Sequence, residues 1–90
     1  MNEIQQMKIL LLKEFPTAKI TLDEPLIKDG VWSLDVFLPD YHLAIAWKVN
    51  KGFGLVWDNS HGYGEGAQEV YKEFGEAFSR ITQLVAERIK

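Results

Sequence analysis

From Val31 to Trp57, large apolar residues alternate with small or polar ones almost without a break, and two tight-turn signals punctuate the alternation. A period of two belongs to strands whose two faces meet different surroundings. Val31–Leu38, Tyr41–Val49 and Phe53–Trp57 are therefore predicted as three consecutive antiparallel strands. Pro39-Asp40 as a two-residue loop sets Leu38 opposite Tyr41, Val36 opposite Leu43, Leu34 opposite Ile45 and Trp32 opposite Trp47. Asn50-Lys51-Gly52 as a three-residue loop, with Gly52 at the left-handed position, sets Val49 opposite Phe53, Trp47 opposite Leu55 and Ile45 opposite Trp57. A two-residue loop there would put Lys48 opposite Leu55 and mix the faces.

The flanking segments complete the fold. Asn2 to Phe15 carries Ile4, Met7, Leu11 and Phe15 at helical spacing, and Pro16 stops the helix. Leu10 and Leu12 widen its stripe, which implies cover on more than one side. Thr17 to Asp23 alternates again, with Ala18, Ile20 and Leu22 on one face, and Asp29-Gly30 marks the turn into the next strand. Ala67 to Ile89 is predicted as a second helix with the stripe Val70, Phe74, Phe78, Ile81, Val85 and Ile89, flanked by Ala77 and Leu84. Glu69 in its first turn and Arg88 near its end suit the helix dipole. Gly75 within it costs about 1 kcal/mol against alanine and reads as close packing on the sheet. The expected fold is an α+β two-layer sandwich, helix–four-stranded antiparallel meander–helix, with both helices on the sheet face that bears Ile20, Trp32, Trp47 and Leu55. Ninety residues make this a single domain spanning 1–90.

Three Trp, three Tyr and five Phe supply a core without disulfides, and there is no cysteine at all. That absence, with an N-terminus reading Asn2-Glu3-Ile4-Gln5-Gln6 where a signal peptide needs positive charge, gives the expectation of a cytoplasmic protein with no membrane segment. Ten basic residues are scattered among thirteen acidic ones for a net charge of −3, so the electrostatic footprint of a nucleic-acid binder is missing.

Function has two surfaces on which to sit. With both helices on one face, the other sheet face is left open. By the register above it carries Thr21, Val31, Ser33, Asp35, Phe37, His42, Ala44, Ala46, Lys48, Val56 and Asp58. One row runs Asp35, Ala44, Asp58, the next Ser33, Ala46, Val56, and a third Val31, Lys48, Gly54. Strands two apart lie roughly 9.5 Å from each other, too far for Asp35 and Asp58 to share one metal ion, though a bridging ligand could span them. Val31, Phe37 and Val56 are apolar on this uncovered face, which points to contact with a protein partner, a second copy included.

The segment Leu34-Asp35-Val36-Phe37-Leu38-Pro39-Asp40-Tyr41-His42-Leu43-Ala44-Ile45-Ala46-Trp47-Lys48 resembles the central hairpin of restriction-endonuclease-like proteins. In that family an Asp on one strand and an acid-x-Lys on the next bind the metal and assist the attacking water. Asp35 and Lys48 match, but Ala46 stands where the second acid belongs, so the resemblance implies at most a degenerate hairpin lacking one metal ligand. It covers about a sixth of the chain, through one short pattern.

The second surface is Asp58-Asn59-Ser60-His61-Gly62-Tyr63-Gly64-Glu65-Gly66, three glycines at every second position before the last helix. A phosphate loop fails because Glu65 lies inside it and no Lys follows. A calcium loop fails because Tyr63 stands where its obligatory Gly belongs. His61 with Asp58 and Glu65 could hold a transition metal, but reads first as a surface or capping side chain. The exposed Tyr63 and the Gly62–Gly66 loop suit partner recognition. Nucleophilic catalysis has little material: there is no Cys, and Ser33, Ser60 and Ser79 lack an elbow-like context. The expectation is thus a small acidic protein-interaction module, antitoxin- or immunity-like in build, with no catalytic residue, metal or cofactor. Asp35, Phe37, Lys48, Asp58, His61, Tyr63 and Glu65 are its candidate contact residues. A ligand site on the open sheet face is the alternative.

Overall fold

The structure, a computed structural model, describes residues 2–57 and 69–89. Helix α1 spans Glu3–Glu14. Asn2 caps it by accepting from the Gln5 N–H, and the Gln5 side chain accepts from the Asn2 N–H in return. Two of the helix's orphan donors are thereby satisfied. Ile4, Met7 and Leu11 are the residues it buries. At its end Phe15 takes a non-helical conformation before Pro16, which cannot continue the ladder.

Strands β1 (Lys19–Asp23), β2 (Trp32–Leu38), β3 (Tyr41–Lys48), β4 (Gly52–Val56) and β5 (Glu69–Tyr71) form one sheet in the order β1-β2-β3-β4-β5, every neighbouring pair antiparallel. Helix α2 (Phe74–Ile89) follows. Both helices lie on one sheet face, as expected, α1 over β1 and β2 and α2 over β4 and β5. The core between the layers joins Ile4, Met7 and Leu11 of α1 to Ala77, Ile81, Leu84 and Val85 of α2 through Ile20, Leu34, Val36, Leu43, Ile45, Trp47, Phe53 and Leu55. No polar side chain among the described residues is buried as a whole. An aromatic line ties the layers together: Trp32 meets Trp47 edge-on, Trp47 meets Phe53, and Phe53 meets Phe74 edge-on at 6.0 Å. Such pairs add about 0.5–1.5 kcal/mol each beyond the area they bury.

Three expectations are corrected. The sheet has five strands rather than four, because residues Glu69–Tyr71 pair with β4 instead of opening the last helix. Val70 faces Gly54 and is 62% exposed, so it belongs to no helical stripe. The helix instead starts at Phe74, with the Glu73 carbonyl accepting its first bond from Ala77. Gly75 falls in its first turn, and a Cβ added there would meet nothing within 4 Å. Close packing on the sheet is therefore not its reason.

The third correction is the β3–β4 register. Trp47 faces Phe53, Ile45 faces Leu55 and Lys48 faces Gly52, a shift of two residues along β4 from the expected pairing. The loop is still three residues long but begins one residue earlier, at Val49: Lys51 N–H donates to the Lys48 carbonyl at 2.9 Å, and Asn50 takes a positive φ of 64°. A shift of two keeps every side chain on its own face, so alternation alone does not distinguish the two registers. The β2–β3 register is the expected one throughout, from Trp32 opposite Trp47 to Leu38 opposite Tyr41.

Candidate functional site

Among the described residues no helix covers the second sheet face. Three rows cross it. The first joins Lys19, Phe37 and His42; the second Thr21, Asp35, Ala44 and Val56; the third Asp23, Ser33, Ala46, Gly54 and Val70. The second and third rows have a low floor, because Ala44, Ala46 and Gly54 carry one side-chain carbon or none. The first row rises above them as an aromatic and polar corner.

That corner is built by the β2–β3 hairpin. Phe37 and His42 face each other across it and stack, rings 4.6 Å apart and 3° from parallel. Lys19 of β1 places its ammonium 5.7 Å from the Phe37 ring centre. His42 Nε2 lies 2.8 Å from Asp35 Oδ1, and the Ser33 hydroxyl donates to Asp35 Oδ2 at 3.3 Å. A carboxylate only accepts, so the imidazole contributes the proton of the first contact. The contacts fix the Asp35 side chain, which is only 15% exposed, and hold the imidazole flat on Phe37.

Ser33, Asp35 and His42 do not form a nucleophile's relay. Activating a serine needs the imidazole between hydroxyl and carboxylate. Here the carboxylate is in the middle and the hydroxyl donates to it. Among the described residues no three of His, Cys, Asp and Glu come together as a metal site.

Of the predicted residues, the structure brings Asp35 and Phe37 together through His42. Lys48 stands apart at the far end of β3, opposite Gly52. It is four residues along the strand from Ala44, the partner of Asp35, or roughly 13 Å at strand rise. The Asp35 and Lys48 of the nuclease-like pattern therefore share a face but not a site. The row expected as Asp35, Ala44, Asp58 ends in Val56 instead, a consequence of the two-residue shift. Asp58, His61, Tyr63, Glu65 and the Gly62–Gly66 loop lie outside the described residues.

Sequence reasoning missed two features. Alternation sets Lys19 with Thr21 and Asp23 on the face opposite Ile20, but without a β1–β2 register it does not bring Lys19 to Phe37. The other feature lies on the helix side. Arg80 of α2 grips Glu69 of β5 with two contacts, Nε to Oε1 at 2.8 Å and an Nη2 to Oε2 contact at 3.1 Å, while the Tyr71 hydroxyl donates to Oε1 at 2.6 Å. The Arg80 bonds, then that of Tyr71, hold the Glu69 carboxyl below its ordinary value of 4.5. The Arg80 guanidinium also lies over the Trp57 ring, 5.6 Å from its centre. The fork clamps β5 to α2, and it was hidden because Glu69 had been read as helical.

Among the described residues no helix is long and apolar enough to cross a membrane. No protein-family model, curated protein or solved structure matches the chain.

Proposed function

We propose that the chain is a non-catalytic protein-interaction module whose open sheet face is the docking surface, with a second copy of itself as one occupant. The observation that supports this reading is the third row of that face: Ala46 and Gly54 make a floor without bulk, bordered by the exposed Val70. Phe37, 40% exposed, adds an apolar patch at the raised corner. A flat partner surface can approach such a floor closely and remove these apolar groups from water, the driving force of most association. A long charged side chain at the middle of the floor blocks it. The test is the solution mass by light scattering after size exclusion, for the wild type and for Ala46→Arg. The reading expects an assembly in the wild type that the substitution dissolves; a wild-type monomer, or an assembly indifferent to Ala46→Arg, refutes self-docking through this face.

A ligand site on the same face is a second reading, favoured by the fixed Asp35–His42 contact. It expects divalent metals or small polar ligands to raise the melting temperature, and Asp35→Ala to abolish the rise with the fold intact. The docking reading expects neither effect.

A further inference from the structure

Strand β1 is one edge of the described sheet: it pairs with β2 on one side, and among the described residues no strand pairs with it on the other. Its sequence is Lys19-Ile20-Thr21-Leu22-Asp23. Read antiparallel against itself about Thr21, this strand is complementary in both charge and apolarity. Lys19 of one copy stands opposite Asp23 of the other at both ends, Ile20 stands opposite Leu22, and Thr21 meets Thr21. We infer that a second copy of this chain pairs with it along β1, so that the two sheets continue as one, with all helices on one side.

A two-fold axis perpendicular to the sheet keeps each residue on its own face. Only pairings that set odd positions opposite odd and even opposite even are then allowed. Among these, the register centred on Thr21 is the one that sets Lys19 opposite Asp23; a slip by two leaves both charges facing neutral positions or lying beyond the strand. Lys19 and Asp23 are exposed on the open face, and the Lys19 ammonium, which lies 5.7 Å from the Phe37 ring centre, moves from that ring to the Asp23 of the second copy. Ile20 and Leu22 lie on the core side, where the joined strands would extend the apolar layer under the helices.

The helix above this edge lies close enough to the junction to share the contact. Helix α1 lies over β1 and β2. With strands about 4.8 Å apart, its copy across the junction lies roughly 10 Å away, the separation at which helices pack. At 100° per residue Leu10 and Leu12, 38% and 37% exposed, stand on opposite flanks of the buried stripe Ile4, Met7 and Leu11, so one of the two faces the copy across the junction, while Ile9 points away from the sheet. The other edge is unsuited to self-pairing: Glu69–Tyr71 is short, and it would set Glu69 opposite Tyr71.

This contact is independent of docking through the open face. Where both operate, the pairs made along β1 stack face to face into a four-chain assembly.

The test is a charge exchange read by light scattering and sedimentation equilibrium. Lys19→Glu sets acid against acid at both ends of the junction, and Asp23→Lys sets lysine against lysine. Each single variant is expected to weaken association on the order of tenfold or more and to halve the assembled mass. The double variant Lys19→Glu/Asp23→Lys restores it. An equimolar mixture of the two single variants also restores it, because each then meets opposite charge in the other. Both positions are exposed, and circular-dichroism melts verify that the variants fold. A wild-type monomer overturns the proposal, as does an assembly unchanged by either single exchange or a double exchange that fails to recover it. Loss of mass in Ala46→Arg with none in Lys19→Glu leaves the face reading standing and the edge proposal refuted; the reverse pattern does the opposite.

Discussion

Gly52 opens β4 with a φ of 87°, and a Cβ added to it would stand 2.6 Å from the Tyr71 carbonyl oxygen and 3.0 Å from the Lys72 Cα. Alanine at this position meets two costs. The left-handed backbone puts Cβ against its own peptide, about 1–2 kcal/mol for an L residue. The clash is with backbone, so it is relieved only by moving the end of β5 away from β4. That movement weakens the Phe53–Tyr71 pair and the contacts behind it, roughly one or two hydrogen bonds at about 0.5–1.5 kcal/mol each. Gly52→Ala is therefore expected to cost about 2–4 kcal/mol, out of a total of about 5–15 for a domain of ordinary stability. At about 4–8 °C per kcal/mol for a chain of this size, the melting temperature falls by roughly 8–32 °C. Urea titration followed by tryptophan fluorescence gives the free energy, and hydrogen exchange at Val70 and Tyr71 shows whether β5 is the part released. Gly75→Ala is the control: it meets open space, and it is expected to be neutral or to stabilise by up to about 1 kcal/mol. A Gly52→Ala variant within about 0.5 kcal/mol of the wild type would refute the reasoning.

Further outcomes follow from the core and the ionised groups. Phe53→Ala, which empties the centre of the aromatic line, is expected to cost about 3–5 kcal/mol in the same titration. Glu69→Gln is expected to lose about 0.2–1 kcal/mol at neutral pH, since the Arg80 fork is partly exposed. Because the folded carboxyl is held below 4.5, its contribution is present above that value and is lost as the pH falls through the folded value. Melts of wild type and variant therefore converge on acidification. Tyr41 is pushed above 10.0, chiefly by burial and against the pull of Arg88, whose guanidinium lies 4.5 Å from the ring centre. A raised value stabilises below pH 10 and fails as the pH climbs through the folded value. Arg88→Ala is expected to raise Tyr41 further in a tyrosinate absorbance titration and to cost about 0.5–1 kcal/mol.

The parts of the fold legible in the sequence were those where two local signals agreed. Alternation and the Pro39-Asp40 loop both fix the β2–β3 hairpin, and its register is the observed one, pair by pair. At the next turn the second signal pointed elsewhere: Gly52 reads as the last residue of the loop, but it opens β4. Asn50 and Gly52 both take positive φ, and choosing between them shifts β4 by two residues without moving any side chain to the other face. Strand β5 was masked by coincidence: Val70 stands four residues before Phe74 and eight before Phe78, so it extends the helical stripe as naturally as it joins a sheet. Three residues are too few to display a period of two, although Val70 and Tyr71 are strand-forming types. On the open face the Asp35, Phe37 and His42 cluster was within reach, because a correct hairpin register places all three on one side. The Arg80–Glu69 fork was not, since it depends on the strand that alternation could not show.

The order of the strands has a kinetic consequence. Among the described strands each pairs with its neighbours in the chain, an order that lets the sheet grow one strand at a time. The β2–β3 hairpin, closed by its short loop and flanked by Leu34, Val36, Leu43 and Ile45, is where such growth begins at least cost in chain entropy. A chain leaving the ribosome therefore finds, for each new strand, a template already extruded beside it.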